Sequence, residues 1–242
     1  MSRRSYVAGG AIVQAMLVLG GCNAPDGGQA PVARATIEAA PPAAARAPMT
    51  GPKRVVLAFG DSLYAGYGLR KGESLPDAIE AGLRAAGIDA TVVNAGVSGD
   101  TTAGGRRRLA YTLDRLERAP DLVVLGLGGN DVLRQLDPAD TRANLTAMLA
   151  ELRRRKLPVV LTGILAPPNL GPDYAGRFNA IFPALAREND APLDPFILAG
   201  VIGNRALMLP DGVHPNAKGV ARIAERLTPL VRDRLTALPP PR

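Results

Sequence analysis

Arg54-Val55-Val56-Leu57-Ala58-Phe59, residues 54–59, is an unbroken apolar run rich in β-branched side chains, and Gly60-Asp61-Ser62-Leu63 follows it at once. A strand with one wet face alternates polar and apolar residues; one covered on both faces does not. The run therefore predicts a central strand of a parallel sheet, ending in a loop at Gly60. Val92-Val93, Leu122-Val123-Val124-Leu125 and Val159-Val160-Leu161 repeat the pattern. Between them, apolar residues recur at spacings of three and four, in Leu109, Leu113 and Leu116, then in Leu145, Met148, Leu149 and Leu152. Ile223, Leu227, Leu230 and Val231 predict a last helix ending before Pro239. Strands alternating with helices imply right-handed βαβ units. The expected fold class is α/β, a single three-layer α/β/α domain over residues 53–238 with a mainly parallel, flavodoxin-like sheet. Ligands of such sheets bind at the carboxyl ends of the strands.

Ahead of that domain the chain changes character. Arg3 and Arg4 form a basic patch, and the apolar run from Tyr6 to Leu19 is too short to span a bilayer but suits a secretory leader. It ends in Leu19-Gly20-Gly21-Cys22, which resembles the lipobox of bacterial lipoprotein signal peptides. The resemblance implies that 1–21 is removed and that Cys22 carries a lipid, holding an exported protein to the membrane on the periplasmic side. Residues 22–52 carry Ala30-Pro31, Ala40-Pro41-Pro42, Ala47-Pro48 and Gly51-Pro52 and read as a semi-extended tether.

Composition narrows the chemistry. With 242 residues, 47% of them apolar, the chain can bury one sizeable core. The formal net charge of +7 comes without aromatic stacking positions or a nucleic-acid motif, so no nucleic-acid partner is expected. Arg106 to Arg108 and Arg153 to Lys156 read as solvated helix faces. Cys22 is the single cysteine, which excludes an internal disulfide, and His214 is the single histidine, which excludes a zinc site built on two or more histidines. No cofactor is expected, and the chain is expected to be a monomer.

Three strand ends and one late loop carry reactive groups: Gly60-Asp61-Ser62-Leu63, Asn94 to Asp100, Gly128-Gly129-Asn130-Asp131, and Asp211-Gly212-Val213-His214-Pro215. A serine hydroxyl needs a neighbouring base to become a nucleophile, and this chain holds one imidazole. An Asp three residues before a His can accept the ring's Nδ1–H and support the imidazolium. An acyl-transfer transition state also needs donors for its oxyanion; Gly99 N–H, the Asn130 amide and Ser62 N–H are candidates. Gly128 and Gly129 read as turn glycines needing positive φ, and Asp61 and Asp131 as structural carboxylates.

These four blocks, in this order, resemble the SGNH hydrolases, in FGDSLYAGYG (59–68), NAGVSGDTT (94–102), LGGND (127–131) and DGVHPN (211–216). Within that superfamily the likeness is to the bacterial thioesterase/protease/lysophospholipase group and its arylesterase relatives, and it covers nearly the whole domain. It implies Ser62 as nucleophile, His214 as base, Asp211 as its orienting partner, and Ser62, Gly99 and Asn130 as the oxyanion hole. It also implies a substrate loop at Ala166 to Gly171, with Pro167, Pro168 and Leu170 bordering an acyl pocket. The substrate would be a small ester, thioester or lysolipid. Relatives often carry an aromatic residue shortly after the first block, where this chain has Leu75-Pro76, a departure bearing on pocket shape.

Other enzyme classes lack their signatures. No serine stands in the G-x-S-x-G elbow of α/β-hydrolases, Gly126 to Asp131 misses the last glycine of a dinucleotide loop, and no Walker-type Gly-Lys-Ser/Thr occurs. The competing reading is a catalytically silent lipoprotein that keeps the fold as a binding scaffold.

Overall fold

The computed structural model describes residues 49–240. The expected leader, Cys22 and the tether up to residue 48 lie outside the described residues. In chain order the elements are β1 (Thr50–Gly60), α1 (Ser62–Ala65), α2 (Leu75–Ala85), β2 (Ile88–Gly96), α3 (Thr102–Asp114), β3 (Leu122–Gly126), α4 (Gly129–Leu133), α5 (Pro138–Arg154), β4 (Val159–Thr162), a 3₁₀ turn (Pro168–Leu170), α6 (Pro172–Asn179), α7 (Ile181–Glu188), β5 (Leu193–Asp194) and α8 (Ala217–Thr236). β1 thus begins inside the stretch read as tether.

The five strands lie in the order β2-β1-β3-β4-β5, all parallel. Every residue of β3 and β4 is buried, as are Val56 to Phe59 of β1, which is why these strands read as continuous apolar runs. α2 packs on α8, while α3, α5, α6 and α7 pack in sequence on one another, giving two helical layers around the sheet. The strand order reverses between β1 and β3: the chain leaves β1 toward α2 and leaves β3 toward α5. Such a switch point opens a crevice at the carboxyl ends of the two strands.

One row of residues shapes that edge. Gly60 at the end of β1 pairs with Gly96 of β2 and Gly126 of β3, and Thr162 pairs with Asp194 farther along. A Cβ on Gly60 or Gly126 would overlap the Tyr64 ring, and one on Gly96 would overlap the backbone of Tyr64 and Ala65. The missing side chains let α1 lie flat on the sheet edge, with the buried Tyr64 hydroxyl 2.8 Å from Thr162 Oγ1. The Tyr64 carbonyl accepts from Asn94 Nδ2 at 2.9 Å. Burial pushes the Tyr64 phenol well above its ordinary pKa, so it stays a neutral anchor.

Gly126→Ala is expected to force Tyr64 off Thr162 at a cost of about 1–3 kcal/mol, the usual size for overpacking a filled core. Thermal denaturation checks this; an unchanged melting temperature would mean that Tyr64 is not wedged against the strand end.

Candidate active site

α1 has only four residues, too few to persist alone, so its ends are fixed from outside. Asp61 caps it, Oδ1 accepting the Leu63 N–H at 3.1 Å, and Gly66 closes it in the left-handed conformation. Ser62 is therefore the first residue of a clamped turn, and its N–H is engaged by no other described residue. On the far side of the crevice, Gly128 turns the chain at φ 120° into α4. Gly129 differs from the reading as a turn glycine: its φ is not positive, and it is small because a Cβ there would stand 3.0 Å from Asp61 Oδ2. This close approach brings α4, and Asn130 with it, against the start of α1.

α4 is held by Asp131, 1% exposed, whose carboxylate accepts from Thr102 N at 2.8 Å, from Thr102 Oγ1, and from Thr141 Oγ1 at 3.2 Å. Asp131 is a tie between α4, α3 and α5. Asn130 spends one amide N–H on the Asp100 carbonyl at 2.9 Å, which leaves the other available. Gly99, the residue before Asp100, stands at φ 82°, in the left-handed region, and its N–H has no partner among the described residues. Ser62, Gly99 and Asn130 thus leave the ends of β1, β2 and β3, three strands in register.

The imidazole arrives from the loop before α8. Asp211 Oδ1 accepts the backbone N–H groups of Val213 at 2.9 Å and His214 at 3.0 Å, and Oδ2 lies 2.7 Å from His214 Nδ1. Asn216 locks the loop base, accepting from Lys218 and Gly219 at the start of α8 while donating to Ala206 O and Met208 O. The other ring nitrogen, Nε2, stands 2.9 Å from Ser62 Oγ. The Asp211 carboxyl is held down at about 2, chiefly by the His214 N–H, so it is an anion at any ordinary pH. The chain Asp211–His214–Ser62 can orient the ring, take the hydroxyl proton and support the resulting imidazolium.

Two contributors were not singled out in the sequence. Tyr67 lays its ring on His214, centroids 4.4 Å apart, although it stood in the quoted first block. Arg108 is the second. It was expected on a solvated face, yet its guanidinium lies 3.8 Å over the Phe59 ring. It also pairs with Asp100 at 2.6 Å and donates to Ala95 O and Gly60 O at 2.9 and 2.8 Å. Only neighbouring Arg106 and Arg107 fit the solvated reading in that segment. Arg155 departs from it too, pairing with Asp114 and Glu151. Pro167, Pro168 and Leu170 leave the end of β4, on the edge that carries Ser62, with the two prolines exposed; no hydrogen bond or ring contact among the described residues joins them to Ser62 or His214. Leu75 and Pro76 are buried at the start of α2. Among the described residues no cluster of His, Cys, Asp and Glu is arranged to hold a metal.

A sequence profile described as the GDSL-like Lipase/Acylhydrolase family matches residues 58–222. The chain is 39% identical over 182 residues to "Esterase TesA" of Pseudomonas aeruginosa, spanning 75% of this chain and 90% of that one. It is 36% identical over 180 residues to "Thioesterase 1/protease 1/lysophospholipase L1" of Escherichia coli K12, spanning 73% and 84%. Among solved structures, AlinE4, described as an SGNH-hydrolase family esterase, is 50% identical with a TM-score of 0.65, covering 77% of this chain and 98% of that one.

Burial raises the Asp61 carboxyl from 3.8 to about 6, against the opposing pull of the Leu63 N–H and His214; Asp131 and Asp100 add to the rise. The folded protein thus holds this proton more tightly than the unfolded chain. That contribution is complete below the unfolded value and is lost as pH rises through about 6. Asp61→Asn keeps an oxygen for the Leu63 N–H and cannot ionise. Its melting temperature should match the wild type near about pH 4 and exceed it near about pH 8, by an amount equivalent to roughly 2–3 kcal/mol. Calorimetry at both values decides this: a constant gap between the two proteins would show that Asp61 ionises without cost.

Proposed function

Because the chain belongs to the GDSL-like lipase/acylhydrolase family, we propose that it hydrolyses carboxylic esters through Ser62, His214 and Asp211. The observation that carries the residue roles is the 2.9 Å approach of His214 Nε2 to Ser62 Oγ across 152 residues of sequence, with Asp211 on the other ring nitrogen. His214 takes the Ser62 proton as Oγ attacks the ester carbonyl carbon. The developing oxyanion is met by the N–H groups of Ser62 and Gly99 and the free amide hydrogen of Asn130. Imidazolium then protonates the leaving alkoxide, and water, activated by the same ring, releases the acid from the acyl-serine.

The substrate's apolar part has a surface to rest on. Tyr67, Val97, Leu133, Leu165 and Val213 are exposed on segments that leave the strands' carboxyl ends or flank His214. Acyl esters and lysolipids suit such a rim better than small charged esters, and Pro167, Pro168 and Leu170 extend it along the β4 loop. Export would keep the enzyme from cytosolic acyl-CoA, which favours oxyesters over thioesters in the cell.

Ser62→Ala is expected to abolish p-nitrophenyl ester hydrolysis without shifting the melting temperature, and His214→Ala to be nearly as damaging, since such groups act as a unit. Asp211→Asn should lose less. A serine-directed phosphonate should label Ser62 in the wild type. Ordinary turnover by Ser62→Ala would end the assignment, and an unlabelled, inactive wild type would favour a binding scaffold.

Export with lipidation at Cys22 is proposed from the leader. Among the described residues no helix is long and apolar enough to cross a membrane. Expressed as the full chain in a bacterium, the wild type should sediment with membranes and incorporate labelled palmitate. Cys22→Ser should do neither, and equal labelling of both proteins would refute the anchor.

A further inference from the structure

The left-handed turn at Gly99 leaves its N–H without a partner among the described residues, but glycine does not hold a conformation by itself. Lacking a Cβ, it moves between wells that other residues cannot reach. An oxyanion donor works only when its direction is set before the reaction. The turn is closed from within on one side, Asp100 N–H donating to the Val97 carbonyl at 3.1 Å, while the carbonyls of Gly99 and Asp100 are left for groups outside the loop to hold.

α4 supplies two grips. Asn130 Nδ2 donates to the carbonyl of Asp100 at 2.9 Å, and Arg134 Nη2 donates to the carbonyl of Gly99 itself at 2.8 Å. The two side chains are one turn apart on the same helical element, and the Arg134 N–H closes that turn on the Asn130 carbonyl at 3.1 Å. Consecutive carbonyls are thus seized by residues four apart, a spacing that places both on one face. A third tie, Arg108 to the Asp100 carboxylate, secures the loop's far end.

Arg134 is an exposed arginine, and long cationic side chains at such positions usually wave in solvent or pair loosely with a carboxylate. It does neither: among the described residues it forms no salt bridge, and its guanidinium lies 3.7 Å from where a Gly99 Cβ would stand. A charged donor to a carbonyl is stronger than a neutral one.

We propose that Arg134 is a positioning residue for ester hydrolysis: it clamps the Gly99 carbonyl, fixing the peptide after Gly99, so that together with the Asp100-to-Val97 turn bond the Gly99 N–H keeps one direction, toward the developing oxyanion. The role rests on the esterase reading of Ser62 and deepens it. Removing a donor outright costs about 10²–10³ in rate, and letting one swing should cost less, on the order of tenfold. Because the clamp acts on the transition state rather than on the bound ester, the loss falls on kcat and not on KM.

The experiment compares wild type, Ser62→Ala, Arg134→Ala and Arg134→Lys on p-nitrophenyl acetate, a neutral substrate. Arg134→Ala should lose roughly tenfold in kcat with KM within about twofold. Arg134→Lys should recover part of that loss, and so should millimolar guanidinium added to Arg134→Ala. Melting temperatures of both Arg134 variants should stay near the wild type's. Wild-type kcat in Arg134→Ala, a change confined to KM, or a loss that neither lysine nor guanidinium relieves would overturn the proposal. A wild type no faster than Ser62→Ala would remove the esterase reading itself, and this role with it.

Discussion

The absence of side chains at Gly60, Gly96 and Gly126 is the constraint from which the rest of the molecule follows. These glycines end three adjacent strands in register, and their open space is filled by Tyr64 and the backbone of α1. A four-residue helix has almost no stability of its own, because nucleation consumes more conformational entropy than so few hydrogen bonds return. Here it is imposed: wedged below by Tyr64, tied to Thr162, capped by Asp61 and closed by Gly66. Ser62 inherits a fixed position at the switch point between β1 and β3. A serine on a free loop would hold no such position.

The chain's basic balance takes on a local meaning beside that constraint. Arg108 donates to the carbonyls of Ala95 and Gly60, Arg134 to that of Gly99, and Arg226 to those of Ala199, Phe196 and Ile197 while pairing with the buried Asp194. Loops at the carboxyl ends of parallel strands leave carbonyls that no ladder can satisfy, and an unpaired buried carbonyl is costly. A planar guanidinium with several donors satisfies more than one of them at once. Arg108 and Arg226 are therefore part-buried braces for these loops and Arg134 an exposed one, with no need of an anionic partner outside the chain to explain them.

Much of this was legible in sequence. Strands buried on both faces announce themselves as apolar runs, and β1, β3 and β4 fall where Val56, Val123 and Val160 led. The long helices α3, α5 and α8 follow from their leucine periodicity, and Ser62, Gly99, Asn130, Asp211 and His214 all lie at the ends or loops where their blocks placed them. The failures have physical causes. β5 is two residues between prolines, too short to carry a pattern. α6 and α7 have eight residues each, about two turns, and meet at Ala180, so the stripe of α7 (Ile181, Phe182, Leu185, Ala186) is too short to stand out and α6 buries Phe178 alone. Arg108 looked solvated because periodicity ranks residues by polarity, and a guanidinium stacked on Phe59 is polar in composition yet packed in fact. Gly129 looked like a turn because spacing cannot reveal a carboxylate standing 3.0 Å from where its Cβ would be.

The arrangement also limits how many independent alignments folding must achieve. Asp211 and His214 are three residues apart, and the turn that joins them is built by the same carboxylate that orients the ring. They form one local unit that needs no distant partner to assemble. Ser62, Gly99 and Asn130 leave strands in fixed register, so they form a second unit set by the sheet. Only one long-range match remains, the seating of the 211–214 loop over α1. It is made by Tyr67 on the imidazole, by Leu209 against Gly68, and by Asn216 fixing the loop to the start of α8. Since α8 buries Val220, Ile223, Leu227 and Val231, the position of the ring is tied to one of the best-packed helices in the domain. An imidazole mounted that firmly meets the Ser62 hydroxyl at hydrogen-bond distance without a separate ordering step, and pre-set geometry of this kind lowers the entropic part of a reaction barrier.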